Sequence, residues 1–302
     1  MSTLIYTTIE LSLIGSLTVL GLYLSYTTLN VCDLSTDGCF TLGATVAAMV
    51  VLSGHPYLAI PAAMTAGMFS GLIVSVMQSY LGINSLLSGI IVNTTLYSVN
   101  IAVMGNSSLV NLNKARSIYT LIKDLLKDTV FSSVSFLFIE ILFAALVMCF
   151  LNFFLKTRIG LAIKATGDNA VMVEASSIDP RITTLIALSI ANSFTALSGS
   201  LLALSQRSAN IDIGSGMVTI ALASLLIGRI FSKNGSTFRQ LLGCVLGALI
   251  FRSIYAVALR LNMPAFMLKL ISASIVAITI SVPYLQTRIP LMKRKRALKE
   301  AR

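Results

Sequence analysis

The residues of this chain that could do chemistry are polar groups set inside apolar sequence. "LNVCDLSTDGCFTLGA" interrupts one apolar run with Asn30, Asp33, Ser35 and Asp37, and "ANIDIGSG" interrupts another with Asn210, Asp212 and Ser215. Asn84, Asn93, Thr94, Thr95 and Asn100 add amides and hydroxyls to a third. Carboxylates and irregular backbone at membrane depth are tolerated where they are buried in protein or line a wet cavity. Lining a path for a solute is therefore the chemistry open to these groups. Interfacial turns, or hydrogen bonds between helices, are the plainer alternatives. Catalysis is not supported, because no Gly-rich loop with Lys-Ser/Thr could cradle phosphates and no His/Cys/Asp cluster could hold a metal. The single histidine, His55, lies in a short turn before Pro56 and cannot complete a Ser/His/Asp set.

The elements that must position these groups are membrane spans. The 302 residues are 56% hydrophobic and 11% charged with a mean hydropathy of +0.89, and apolar segments of bilayer length recur from end to end. The pattern predicts an all-α polytopic membrane protein with about nine spans. They fall near 4–29, 38–54, 57–79, 85–104, 131–155, 183–205, 214–231, 240–259 and 265–284. No basic residue precedes the first run, which is kept as a span rather than a cleaved signal.

The net charge of +11 does not point to nucleic acid, since Lys and Arg are absent before Lys114 and gather in the terminal "KRKRALKEAR". That tail reads as a cytoplasmic anchor. Counting back from it puts the N-terminus outside and the 156–182 loop inside, with Lys156, Arg158, Lys164, Arg181, Arg229, Lys233 and Arg239 on the cytoplasmic side. Lys114, Arg116, Lys123, Lys127, Arg207 and Arg260 run against this orientation. Cys32, Cys39, Cys149 and Cys244 lack metal-ligand spacing and read as small buried hydrophobes.

The chain also resembles itself. "LSYTTLN" (24–30) and "LSQRSAN" (204–210) share Leu-Ser and Asn at equal spacing, and each precedes an acidic and small-polar turn followed by an apolar span. Gly67-x-x-x-Gly71 is echoed by Gly243-x-x-x-Gly247, and "LGINSLL" by "LNMPAFM", at an offset near 180 residues. Spans one to four then correspond to spans six to nine, and an odd connector between them makes the repeat inverted. Two such halves can rock about a midplane site, as in many transporters. The paired glycines are expected to let helices approach closely.

The organisation expected is one permease domain over 1–302. It divides into repeat 1 (about 1–105), an outer loop (106–130), a connector helix (131–155), a cytoplasmic loop (156–182), repeat 2 (about 183–285) and the basic tail (286–302). Glu140 and Arg252 each lie roughly 10–15 Å below the outer surface and are expected to pair, with Glu10 as another partner for Arg252. Lys269 is placed to snorkel to the surface. Ile118, Leu121, Ile122, Leu125 and Leu126 recur at helical spacing in the outer loop, as in a helix lying at the interface.

The stretch "GLAIKATGDNAVMVEASSID" is polar and helix-prone. Asp168 and Asn169 after Gly167 predict a capped start, a helix follows over about 170–177, and Pro180 is expected to stop it. Val171, Glu174 and Ala175 share one face. A helix this short is marginal alone in water and needs something to pack on.

This segment resembles the cytoplasmic coupling segment of ATP-binding-cassette importer permeases of the branched-chain amino-acid and simple-sugar class. The match sits on Gly160, Lys164, Ala165, Gly167, Asp168 and Asn169. "LLSGIIVNTTLYSVNIAVMG", "IDIGSGMVTIALASLLIG" and "CDLSTDGCFTLGA" resemble the same class, closest to its tryptophan/tyrosine branch. Lys164 stands where Arg is usual, and Ala102 where a basic residue is expected.

The resemblance implies a type II importer-like permease subunit in a bacterial plasma membrane, paired with a second copy. Two ATPase subunits would bind ATP and Mg on its behalf, this chain holding no cofactor, and an extracytoplasmic binding protein would deliver a small solute. An amino acid, aromatic by resemblance, leads over a nucleoside or a sugar. Residues 170–177 would be the coupling helix. Asn30, Asp33, Ser35, Asn84, Asn93, Asn100, Asn210, Asp212 and Ser215 are the candidate path residues. An ion-coupled secondary transporter and a non-transporting scaffold are the competing readings.

Overall fold

The structure is a computed structural model that describes residues 2–113, 115–120, 135–232 and 235–260, with 267, 270, 273–277 and 281 beyond them. Helix α1 (Ser2–Leu22) passes into a π-helical turn, Tyr23–Thr28, and is followed by α2 (Thr36–Leu52). A 3₁₀ turn at Pro56–Leu58 leads into α3 (Ala59–Ser79), then α4 (Ser85–Val103) and strand β1 (Leu109–Asn111). Next come α5 (Ser135–Phe154), α6 (Arg158–Asp168), α7 (Ala170–Ala175), α8 (Pro180–Gln206) and β2 (Ser208–Asn210). Helices α9 (Met217–Ser232) and α10 (Thr237–Arg260) complete the described elements.

Six of the described helices are long and apolar enough to cross a bilayer, while α2 and α9 are apolar but shorter. Of the span expected at 265–284, only scattered helical residues are described. Lys269 and the outer-loop helix beyond residue 120 lie outside the described residues.

Helix α8 is the core, with 83% of its apolar window buried against 28% for α4 and for α5. It carries Thr183, Ser189, Asn192, Ser193, Thr195, Ser198 and Ser200, all buried. Small groups let backbones touch where no water-driven force presses helices together. Gly67 of α3 faces Ala196, Gly71 faces the Leu188 carbonyl, and Gly43 of α2 faces the Ala196 carbonyl, each so closely that a Cβ would collide. Gly199 of α8 returns the contact against the Phe40 carbonyl. On the other side, Gly243 and Gly247 of α10 meet Gly228 and Ser224 of α9. The expectation for both glycine pairs is therefore met.

The packing crosses over in sequence: α8 lies against α2 and α3, and α1 lies against α8 and α10. Ser198 Oγ donates to the Ile14 carbonyl at 2.6 Å and Tyr23 Oη to Gln240 Oε1 at 2.6 Å, fixing α1 to both neighbours. The fold is not wholly helical. β1 and β2 pair antiparallel, Val110 opposite Ala209, and join the exits of α4 and α8.

Three expectations change. Pro180 does not stop the preceding helix but occupies the first turn of α8, where its missing N–H costs nothing, and Asp179 caps that helix through Arg181 N–H at 2.8 Å. The stop comes earlier, at Ser177, which adopts a left-handed φ of 63°. Glu140 does not meet Arg252: its neighbour is Glu10, while the Arg252 guanidinium lies 6.0 Å from the Tyr255 ring centroid. Cys39 and Cys244 are buried as expected, but Cys149 on the outer face of α5 is exposed.

Candidate functional site

The break after the π turn builds the polar centre. A π turn adds a residue per turn and frees carbonyls from the regular ladder. Here Leu29 N–H reaches back to Leu24 at 3.1 Å and Val31 N–H to Ser25 at 2.9 Å, and Asn30 turns the chain with a left-handed φ of 59°. The chain then enters protein rather than lipid. Asp33, 2% exposed, accepts Ser35 N–H at 2.8 Å on one oxygen and Asn192 Nδ2 at 2.9 Å on the other. Asn192 also donates to Ser35 Oγ at 3.3 Å, so the carboxylate and its partner amide bind the break to the middle of α8.

Asp37, in the first turn of α2, accepts Gly216 N–H at 3.0 Å and Val218 N–H at 2.8 Å. Those are orphan donors at the start of α9, so one carboxylate caps a helix from the other half of the chain. Asn93 Oδ1 accepts Gly38 N–H at 2.7 Å, and Asn100 Nδ2 donates to the Gly38 carbonyl at 3.2 Å, pinning α4 to the same point. Between these elements lies a cavity of about 250 Å³ lined by Asp37, Gly38, Thr41, Asn93, Thr94, Tyr97, Asn100, Ile211, Asp212 and Ser215.

The cavity thus gathers Asn93, Asn100, Asp212 and Ser215 from the expected path. Asp33 and Ser35 sit in the adjoining buried network. Asn30 is exposed at its turn, Asn84 caps α4 through Leu86 N–H at 2.9 Å, and Asn210 accepts Asp212 N–H at 3.1 Å. Thr41, Tyr97 and Asn192 complete the site without having been given a role from sequence, and Asp37, read there only as one polar group of the broken segment, turns out to cap α9. An amide in the middle of an apolar span, as Asn192 is, was the available signal. Asp37 falls 180 residues before Met217, the first residue of α9, which the repeat offset alone makes visible.

The coupling stretch forms two helices rather than one. α6 is capped by Thr157 through Gly160 N–H at 3.2 Å, and α7 by Asn169 through Met172 N–H at 3.1 Å. Gly160 lies against the Phe154 carbonyl, and Thr166 Oγ1 is 2.9 Å from Thr183 Oγ1, tying α6 to α8. Lys164 and Asp168 are exposed and Ala165 half-buried. On α7 only Val173 is buried, whereas Val171 is 76% and Met172 64% exposed, with Glu174 and Ala175 also open. Gly167 rests directly on the Thr28 carbonyl and Leu29, the end of the π turn. The exposed helix is therefore one contact away from the break that carries Asp33.

The comparisons agree with this architecture. Residues 4–280 match the family described as branched-chain amino acid transport system / permease component. A tyrosine transport system permease protein of Clostridioides difficile is 30% identical over 88% of this chain and 86% of its own length. An uncharacterized protein of Rickettsia prowazekii is 31% identical over 92% of this chain and 97% of its own. In fold, the chain resembles PsaBC from Streptococcus pneumoniae, solved in complex with Fab, with a TM-score of 0.54 and 13% identity over 94% of each chain. A multi-pass helical membrane protein with a polar cavity among its helices, this chain belongs to the family of branched-chain amino acid transport permeases.

Proposed function

We propose that the chain is the membrane-spanning subunit of an ATP-binding-cassette importer, works as a pair of copies over two ATPase subunits, and receives its solute from an extracytoplasmic binding protein. The observation that carries this is the link from α7 to the path. An apolar, exposed pair of residues sits on a helix too short to stand alone, and its neighbour Gly167 bears on the π turn. ATP and Mg would be bound by the partner. Movement of α6 and α7 would reach Thr28, then Asp33, and through Asp37 the start of α9.

The contacts of α8 with α2 and α3 and of α1 with α8 and α10 support two interlocked halves joined by α5 as connector, and the apolar runs and the distribution of Lys and Arg support nine spans, an outer N-terminus and a cytoplasmic C-terminus. The cavity lined by Asn93, Asn100, Asp212 and Ser215 is the path in this reading, bounded by amides and hydroxyls suited to weak, transient hydrogen bonds. The solute is an amino acid. An aromatic one is favoured by the likeness to a tyrosine transport permease.

Val171→Asp with Met172→Asp tests the reading. The pair is solvent-facing, so the variant permease should fold with an unchanged unfolding midpoint, yet fail to co-purify its ATPase and lose uptake. A variant that retains both the ATPase and uptake would refute the coupling role.

A further inference from the structure

The walls of the polar cavity have spent their donors and kept their acceptors. The lining comes from residues 37–41 of α2, 93–100 of α4 and 211–215 ahead of α9. Asn93, Thr94 and Tyr97 occupy the middle of α4, a helix of bilayer length, so the cavity opens at membrane depth. Thr41 Oγ1 donates to the Asp37 carbonyl at 3.0 Å and Thr94 Oγ1 to the Ile91 carbonyl at 2.8 Å. With its hydrogen committed, each hydroxyl has only lone pairs left to offer. Asn100, 1% exposed, donates Nδ2 to the Gly38 carbonyl at 3.2 Å, and that bond fixes which way its amide points. Its Oδ1 is left buried without a described partner.

Asp212 adds a charge to these acceptors. Its backbone is held, the N–H by Asn210 Oδ1 at 3.1 Å and the carbonyl by Ser215 N–H at 3.0 Å. The residue is exposed at the cavity, and no described hydrogen bond ends on its carboxylate. Asp37 differs in this respect, because its two oxygens are filled by Gly216 and Val218 N–H.

A carboxylate, an orphan amide oxygen and two hydroxyl acceptors match a ligand group that donates several hydrogen bonds and is positive. An alkylammonium does both, with three N–H donors on one charged centre. Sugar hydroxyls also donate, but bring no charge to set against a carboxylate at membrane depth. Tyr97, 52% exposed on the same wall, offers an aromatic face of the kind that attracts ammonium groups. Asn93 gives its Oδ1 to Gly38 N–H at 2.7 Å and retains its amide nitrogen as a donor, which suits the carboxylate end of an amino acid.

We infer that Asp212 and Asn100 Oδ1 hold the ammonium group of the transported solute, and that Asp212 makes the permease itself prefer amino-bearing solutes to neutral ones. This assignment rests on the reading of the cavity as the path.

The test uses the full chain in lipid nanodiscs, without ATPase or binding protein, and two probes that share a phenol ring. Tyramine has an ammonium group and no carboxylate; 3-(4-hydroxyphenyl)propionate has the carboxylate and no nitrogen. Saturation-transfer NMR should show saturable binding of tyramine, about ten-fold or more tighter than that of the acid. Asp212→Asn should remove this preference and Asp212→Glu, which keeps the charge, should restore most of it. Both variants should keep the parent unfolding midpoint, since no described hydrogen bond depends on the carboxylate. Equal binding of the two probes, no saturable binding of tyramine, or unchanged tyramine binding in Asp212→Asn overturns the inference. So does a loss in Asp212→Asn that Asp212→Glu does not rescue. With neither partner present, the result is separate from the Val171→Asp and Met172→Asp test: a coupling helix that proves dispensable leaves tyramine recognition standing, and failure of tyramine recognition leaves the coupling result standing.

Discussion

Replacing Gly167 with Ala adds a single methyl group at the point where the coupling segment touches the π turn. Propensity alone predicts that the variant is more stable, because Ala in a helix is worth about 1 kcal/mol over Gly. The structure predicts the opposite. The new Cβ would meet the Thr28 carbonyl oxygen and lie 2.9 Å from the Leu29 carbonyl carbon and 3.0 Å from its Cα. Comfortable carbon contacts need about 3.5–4.0 Å, so the two segments must part by roughly 0.5–1 Å. Both obstacles are backbone, which cannot swing aside as a side chain can. Overpacking costs about 1–3 kcal/mol, and a collision with two backbone groups puts this one in the upper part of that range, about 2–3 kcal/mol; after the gain of about 1 kcal/mol the net loss should be about 1–2 kcal/mol, a five- to thirty-fold shift toward the unfolded state. Thermal unfolding in nanodiscs reads the stability, and uptake by the assembled transporter reads coupling, which should fall further than stability if, as proposed, this contact transmits the motion of α6 and α7. Lys164→Ala, exposed on the same helix, is the control and should leave the midpoint unchanged. A Gly167→Ala variant that is as stable as the parent, or more so, and transports normally would refute the reasoning.

Two further substitutions address the polar centre. Asp37→Ala removes the acceptor of Gly216 and Val218 N–H, leaving the start of α9 uncapped; a loss of about 1–2 kcal/mol in unfolding free energy is expected, together with lowered uptake. Asn192→Leu strips Asp33 of its side-chain donor in a dry interior, so a loss of about 1–3 kcal/mol is expected by thermal unfolding. Asn30→Ala, at an exposed turn, should cost much less.

Much of the fold was legible because lipid imposes a simple rule: each apolar run of sufficient length is a helix. The short α2 and α9 were equally visible as runs and were read as spans at 38–54 and 214–231, although both helices fall below the length that crosses a bilayer unaided. The coupling stretch was legible from its caps, since Asn169 does accept a backbone N–H at the start of α7. Its end was misjudged because Pro180 serves as well at the first turn of a following helix as beyond a preceding one. The pairing of Glu140 failed for a different reason. Depth along a helix says how far a charge lies from the surface, but not which way around the axis it points, and Glu140 turns toward α1 while Arg252 turns toward Tyr255. The path was half legible: Asn93, Asn100, Asp212 and Ser215 were identified as types, whereas the role of Asp37 depends on two segments 180 residues apart meeting end to end.

The burial of α8 bears on the order of biosynthesis. Its sides are lined with hydroxyls and an amide, and its glycine contacts are with α2 and α3, which leave the ribosome long before it does. The early helices must therefore wait in the bilayer with a slot between them, their Gly43, Gly67 and Gly71 faces uncovered, until residues 180–206 arrive. Insertion of α8 is less a partition into lipid than a docking into that slot. A nascent chain stopped before Pro180 would hold α2 and α3 as a pair still missing the helix that both were shaped to receive.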